Sequence, residues 1–228
     1  MSPTEIMRAR RWSFMWTWWP EASETDIATQ FRWAAEIGRL AEQERIVLPA
    51  EVSCRWRLGG RRIRQASTTI PLAGPLDDPA VAAELLAMRG CDIGSEADIE
   101  EISISGPGEW IDSDGSIRTE DRLATLDMDL VGPRSVVNLE VHHDLWMTHN
   151  FRGEPHEAIH QQNSPRLANL IAGMNNLLGS DGVPSEPTTF GTPLEFGIEP
   201  PLDEDDNPMD VIAWGGISPS SSVLDHDC

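Results

Sequence analysis

Hydrophobic and polar positions alternate in short runs through much of this chain and switch to helical spacing in three places. Trp12, Phe14, Trp16 and Trp18 alternate with Ser13, Met15 and Thr17 up to Pro20, a period of two that predicts a half-buried strand. Ser23 or Thr25 then caps a helix over about 26–44, where Ile27, Phe31, Ala34, Ile37, Leu40 and Ala41 fall on one face. Residues 51–58 and 61–71 flank Gly59-Gly60 and read as a β-hairpin. Asp77-Asp78-Pro79 opens a second helix that runs to about Arg89 and stops at Gly90. Strands follow over 99–105, 109–112, 115–118, 123–131 and 135–148, with Asp112-Ser113-Asp114-Gly115 and Gly132-Pro133 as turns. Pro155 starts a short helix that Ser164-Pro165 interrupts and restarts. Leu167, Leu170, Ile171, Met174, Leu177 and Leu178 form its apolar face, and Gly179 ends it. From 180 onward Pro, Gly and Asp predict irregular structure, with 218–228 a flexible tail.

This order predicts an α+β protein, a mainly antiparallel sheet with helices packed on one face. A single domain over 1–217 is expected, and a division into lobes 1–74 and 95–217 stays open. The apolar run Trp12–Trp19 is eight residues long and ends at Pro20-Glu21, too short for a spanning helix and without a cleavage site after it. Three widely spaced cysteines, Cys54, Cys91 and Cys228, make no Cys-x-x-Cys pair, which suits a reducing, cytoplasmic compartment.

Charge sharpens the picture. The 228 residues carry 38 acids against 17 bases, a net charge of −21. Residues 1–64 hold 11 of the bases against 8 acids, and the remainder holds 6 against 30. Such a field repels nucleic acid and anionic membranes and draws cationic partners in, so neither membrane nor direct nucleic-acid binding is expected. Every base is arginine, and tyrosine is absent. Schiff-base chemistry, a P-loop lysine and a phenolic acid or base are therefore excluded. No G-x-S-x-G, P-loop or G-x-G-x-x-G motif occurs.

His156-Glu157-Ala158-Ile159-His160 matches H-E-x-x-H, in which two histidines one turn apart hold zinc and the glutamate serves as base. Pro155 places His156 in the first turn of its helix, and a third ligand would have to come from His142, His143 or Glu195. His143, Asp144 and His149 form a second polar cluster near a strand end. The Asp112 and Asp203–Asp206 runs fail as calcium loops, because Ile117 and Pro208 stand where glycine is required. Arg55, Arg57 and Arg62, with Arg61 and Arg64, make one basic patch, suited to an anion or to pairing with the chain's own acids.

The second half also carries a resemblance. His143-Asp144-Leu145-Trp146, Arg152-Gly153, Asn163-Ser164-Pro165-Arg166-Leu167-Ala168, Thr189-Phe190-Gly191-Thr192-Pro193, Gly197-Ile198-Glu199 and the run Asp203–Asp206 resemble uncharacterised proteins of high-GC actinobacteria. They also look like the acidic, mixed-sheet immunity proteins of bacterial toxin systems. The H-E-x-x-H stretch is not part of that pattern, and the resemblance brings no catalytic residues with it. It implies a non-enzymatic inhibitor whose acidic surface docks on a basic partner such as a toxin, without a cofactor. Trp110, Asp112, Asp114, Asp203, Asp205 and Asp206 are the expected contacts. Two alternatives remain: a zinc-dependent hydrolase using His156, His160 and Glu157, and a small-ligand binder using Arg55, Arg57 and Arg62.

Overall fold

A computed structural model describes residues 6–9, 14–20, 27–59, 61–92, 97–131 and 134–215. In chain order the elements are β1 (Phe14–Trp18), α1 (Ile27–Gln43), β2 (Glu51–Leu58), β3 (Arg61–Pro71), α2 (Pro79–Asp92), β4 (Asp98–Ser105), β5 (Gly108–Ile111) and β6 (Ile117–Glu120). Then come β7 (Ala124–Val131), β8 (Arg134–Val141), α3 (Glu157–Leu178), β9 (Val183–Pro184), β10 (Thr192–Leu194), β11 (Gly197–Glu199) and α4 (Val211–Gly215). Seven strands form one sheet in the order β3-β2-β4-β7-β8-β1-β9, and each pairing in it is antiparallel. The expected α+β class, a mainly antiparallel sheet with helices on one face, is what the chain forms. The suggested lobes do not divide this sheet: β2 pairs with β4, and β1 pairs with β8.

Period-two patterning decides which side of each strand is buried. Trp16 and Trp18 of β1, Ile102 and Ile104 of β4, Leu126 and Met128 of β7, and Val137 and Leu139 of β8 all turn inward. Against them pack Phe31, Ala34 and Ile37 of α1 and Leu170, Ile171 and Met174 of α3. The two indoles do not bury their N–H groups unpaired. Trp16 Nε1 donates to the Leu194 carbonyl at 2.7 Å, and Trp18 Nε1 to Asn175 Oδ1 at 2.7 Å. Gly182 lies flat on the Trp18 ring, where a Cβ would come within 2.5 Å of it. Trp19, by contrast, is 48% exposed, and Trp12 lies outside the described residues, as do Ser23, Thr25 and the tail 218–228.

Two expectations fail for identifiable reasons. The strand expected over 135–148 ends at Val141, and the chain enters a 3-10 turn at Asp144–Trp146. The buried Asp144 carboxylate accepts the Met7 amide at 2.9 Å and the Phe151 amide at 3.3 Å, stapling the N-terminal segment and the following loop around that turn. The helix expected to break at Ser164-Pro165 instead runs unbroken over 22 residues. Pro165 is exposed, so the Gln161 carbonyl that loses its partner lies on the solvent side.

Anchors at Asn163 and Arg166 hold this helix on both sides of the proline. The fully buried Asn163 side chain donates to the Ile111 and Ile159 carbonyls, both at 2.8 Å, and accepts from the Ile111 amide at 2.9 Å. Arg166 donates to Asn163 Oδ1 at 2.9 Å, to the Glu44 carbonyl at 2.8 Å and to the Glu109 carbonyl at 2.8 Å. One helical turn thereby joins α3 to the end of α1 and to β5. Beyond Gly179, which adopts φ 67° as a C-terminal cap, the chain forms the β10–β11 hairpin and acidic turns rather than wholly irregular structure.

Candidate functional site

The outward side of the central strands is polar, and the register lines its residues up. Thr69, Ser53, Ser103, Asp127, Asn138 and Thr17 are successive cross-strand partners from β3 to β1. The adjoining row runs from Ser67 through Arg55 and Glu101 to Asp129. Helices α1 and α3 lie on the other side of the sheet. Residues that face one another across an antiparallel pair sit close enough to interact directly. Here they form a chain of hydrogen bonds. Arg55 Nη1 is 2.9 Å from Glu101 Oε2. Ser103 donates to Glu101 at 3.3 Å and also to Asp127. Asn138 Nδ2 donates to Asp129 at 3.3 Å, and Thr17 donates to Asn138 Oδ1 at 2.9 Å.

Electrostatically this row is strained. Desolvation pushes the Glu101 carboxyl up to about 7; Arg55 opposes the rise, while Asp127 and Asp129 add to it. Asp127 is raised first by desolvation and then by the charge of Asp129, with the Ser103 hydroxyl pulling the other way. Glu140, one register step along β8, is raised by desolvation and by Asp127. Carboxylates held this close resist full ionisation unless a cation joins them. A positively charged group set over the row would relieve that repulsion and draw off the shared protons.

Most of the residues singled out from sequence lie elsewhere and serve the fold. Trp110 is buried, and Asp112 is 2% exposed, paired with Arg118 at 3.2 Å. These two are therefore not surface contacts: the Asn163 clamp on Ile111 draws the β5–β6 hairpin onto α3. Asp114 is exposed and accepts the Ser116 amide, closing the turn at Gly115. Asp203 likewise accepts the amides of Asp205 and Asn207, and Asp205 and Asp206 are exposed beside it. Arg55 is engaged by Glu101, which removes it as an open anion ligand; Arg57 is also partnered. The side chains of Arg61, Arg62 and Arg64 lie outside the described residues.

The H-E-x-x-H stretch does not form the expected helical pair. His156 is the residue before the helix, at φ −132° and ψ 44°, not its first turn. Its Nε2 lies 2.7 Å from the Met147 carbonyl, and a carbonyl only accepts, so this nitrogen carries the proton and offers no lone pair. Glu157 is exposed and accepts from Gln161 at 2.9 Å. His160 lines a cleft, and His156 is not among the residues that line it. Among the described residues no three His, Cys, Asp or Glu side chains converge to hold a metal ion. His143, 1% exposed, has its Nε2 3.7 Å from Glu120, and desolvation lowers its pKa. Desolvation pushes the Cys54 thiol up to about 12, so it is no nucleophile near neutral pH.

Compared with models of protein families, with curated proteins and with solved structures, the chain matches none. The segments that carry the resemblance therefore take their meaning from this structure alone. Asp144 staples the N-terminal segment, and Asn163 with Arg166 welds three elements. Gly191, at φ 150°, lets the chain pass the Glu199 carbonyl, which a Cβ would approach to 2.5 Å. The carboxylate row was missed in the sequence reading. Its signal was present as outward acids at period two, Asp127 and Asp129 on β7 and Glu140 on β8. No helix among the described residues is long and apolar enough to cross a membrane.

Proposed function

We propose that this chain is a non-enzymatic acidic binding protein, an immunity-type inhibitor that docks on a partner with a basic surface, such as a toxin. One observation carries the reading: Asp127, Asp129 and Glu140 crowd the outward side of the sheet around the buried Glu101, with Glu101 held near 7 and Asp127 and Glu140 raised. A cationic surface laid across strands β4, β7 and β8 neutralises a cluster that is costly when bare. The net charge of −21 adds long-range attraction for such a partner. This reading adds the sheet to the docking face, drops the buried Trp110 and Asp112, and keeps the exposed Asp114, Asp203, Asp205 and Asp206 as contacts. A rigid, hydrogen-bonded face needs little reordering on binding, which limits the entropy cost of association.

The test pairs this chain with a basic protein that it captures from host lysate at low salt. Association is measured at low and high salt for the native chain and for the variant Glu101→Gln/Asp127→Asn/Asp129→Asn/Glu140→Gln. Binding should fall steeply with salt and be largely lost in the variant. Equal binding at both salt concentrations, or an undiminished variant, would sink the reading.

A further inference from the structure

A second site lies on another part of the molecule and does not depend on the sheet face. A cleft of about 850 Å³ opens between the start of α3 and the segment from β10 to Pro208. That volume falls within the range of pockets that enclose a small ligand or a few side chains. Its walls combine two features seldom exposed together. Leu194, Phe196 and Leu202 are 40%, 41% and 49% exposed and all line it. Glu195, Glu199 and Asp206 line it as well, and among the described residues no arginine does. His149 and His160 stand on the α3 side, and desolvation lowers the pKa of His160, which keeps its ring neutral at pH 7.

We infer that this cleft receives a segment of a partner polypeptide that carries a large apolar side chain beside an arginine or lysine. Apolar walls of this exposure gain from covering. Three carboxylates at the rim select a cationic neighbour over an anionic one. The same charges disfavour the other available occupants. Residues 216–228 carry Asp225 and Asp227 with no arginine, and a second copy of a chain with net charge −21 would bring acids against acids. Phe196 and Leu202 supply the contact for the apolar side chain, while Glu195 and Glu199 face the basic one.

The probe is a set of three capped pentapeptides, Gly-Arg-Phe-Arg-Gly, Gly-Glu-Phe-Glu-Gly and Gly-Arg-Ala-Arg-Gly, titrated into the full chain and followed by backbone amide NMR. The Arg-Phe-Arg peptide should shift the amides of 194–199 and His149 in a saturable way, and the other two should bind more weakly. Glu195→Gln/Glu199→Gln should weaken it roughly fivefold, as two exposed ion pairs allow. Phe196→Ala, at an exposed position that leaves the fold intact, should weaken it as well. Asp127→Asn/Glu140→Gln should leave it unchanged, which separates this site from the sheet face. Absence of shifts at 194–199, equal binding of the acidic peptide, or loss of binding only in the sheet variant would overturn the inference.

Discussion

On the helical side of the sheet, Asn163 and Arg166 spend their donors on backbone carbonyls of α3, β5 and the turn that follows α1; on the outward side, Glu101, Asp127 and Asp129 stand carboxylate beside carboxylate. Both groups are polar and partly or wholly buried, yet they do opposite things to stability. A guanidinium on neutral carbonyls gains charge-assisted hydrogen bonds, set against the cost of its burial and of the nearby Arg45 charge. Crowded carboxylates keep their protons or repel. The first arrangement is what a fold needs to hold together. The second costs stability in the isolated chain, and such costs concentrate where a protein meets something else.

The contrast can be broken most directly at the weld. Arg166→Ala leaves the Glu44 and Glu109 carbonyls unpaired and should lower the unfolding free energy by about 3 kcal/mol in urea denaturation. Asn163→Ala should lower it by about 2 kcal/mol. Because the two side chains share a hydrogen bond, the double variant should lose less than the sum. A loss under about 0.5 kcal/mol for Arg166→Ala would show that the weld does not hold the fold.

Next in size is the effect of pH. Glu101 and Asp144 are both pushed up to about 7 by desolvation, from ordinary values of 4.5 and 3.8. The native state therefore holds these protons where the unfolded chain has released them. The stability they contribute is complete below their unfolded values and is lost as pH rises through about 7. Unfolding free energy measured between pH 5 and pH 8 should fall by roughly 1–3 kcal/mol on these grounds. Asp144→Asn should flatten the slope, since the amide oxygen still accepts from Met7 and there is no charge to bury. A flat native profile would remove the claim of strain on the outward side.

Smaller still, Asp127→Asn/Glu140→Gln should change stability by no more than about 1 kcal/mol, or raise it at pH 8, although both positions lie mid-strand. A drop as large as that of Arg166→Ala would erase the distinction between the two sides. Asp205→Asn, on an exposed turn, should stay within about 0.5 kcal/mol of the native chain by the same assay.

Much of this fold was legible because strands such as β1 and β7 alternate with period two and its sheet is antiparallel. Leu126, Asp127, Met128 and Asp129 announce a half-buried strand without help from elsewhere. Glycines marked the C-terminal end of α3 and the turn at Gly115. What local pattern does not carry is register. Asp127, Asp129 and Glu101 each look like an ordinary outward acid, and only the pairing of β4 with β7 sets them side by side. The same holds for the misplaced contacts. Asp112-Ser113-Asp114-Gly115 has the chemistry of an exposed turn, and so it is one, but the Asn163 clamp buries its first residue. Ser164-Pro165 is a helix breaker by propensity, overridden by anchors from 44 and 109 that no local window contains.

The position of β1 between β8 and the edge strand β9 has a consequence for biosynthesis. Thr17 meets Asn138 across 121 residues of chain, and β1 also pairs with β9. Until the ribosome has made β8, the indoles of Trp16 and Trp18 have no strand beside them. The emerging polypeptide therefore carries an uncovered aromatic strip for most of its translation, during which closing so long a loop is slow and sticking to other chains is easy.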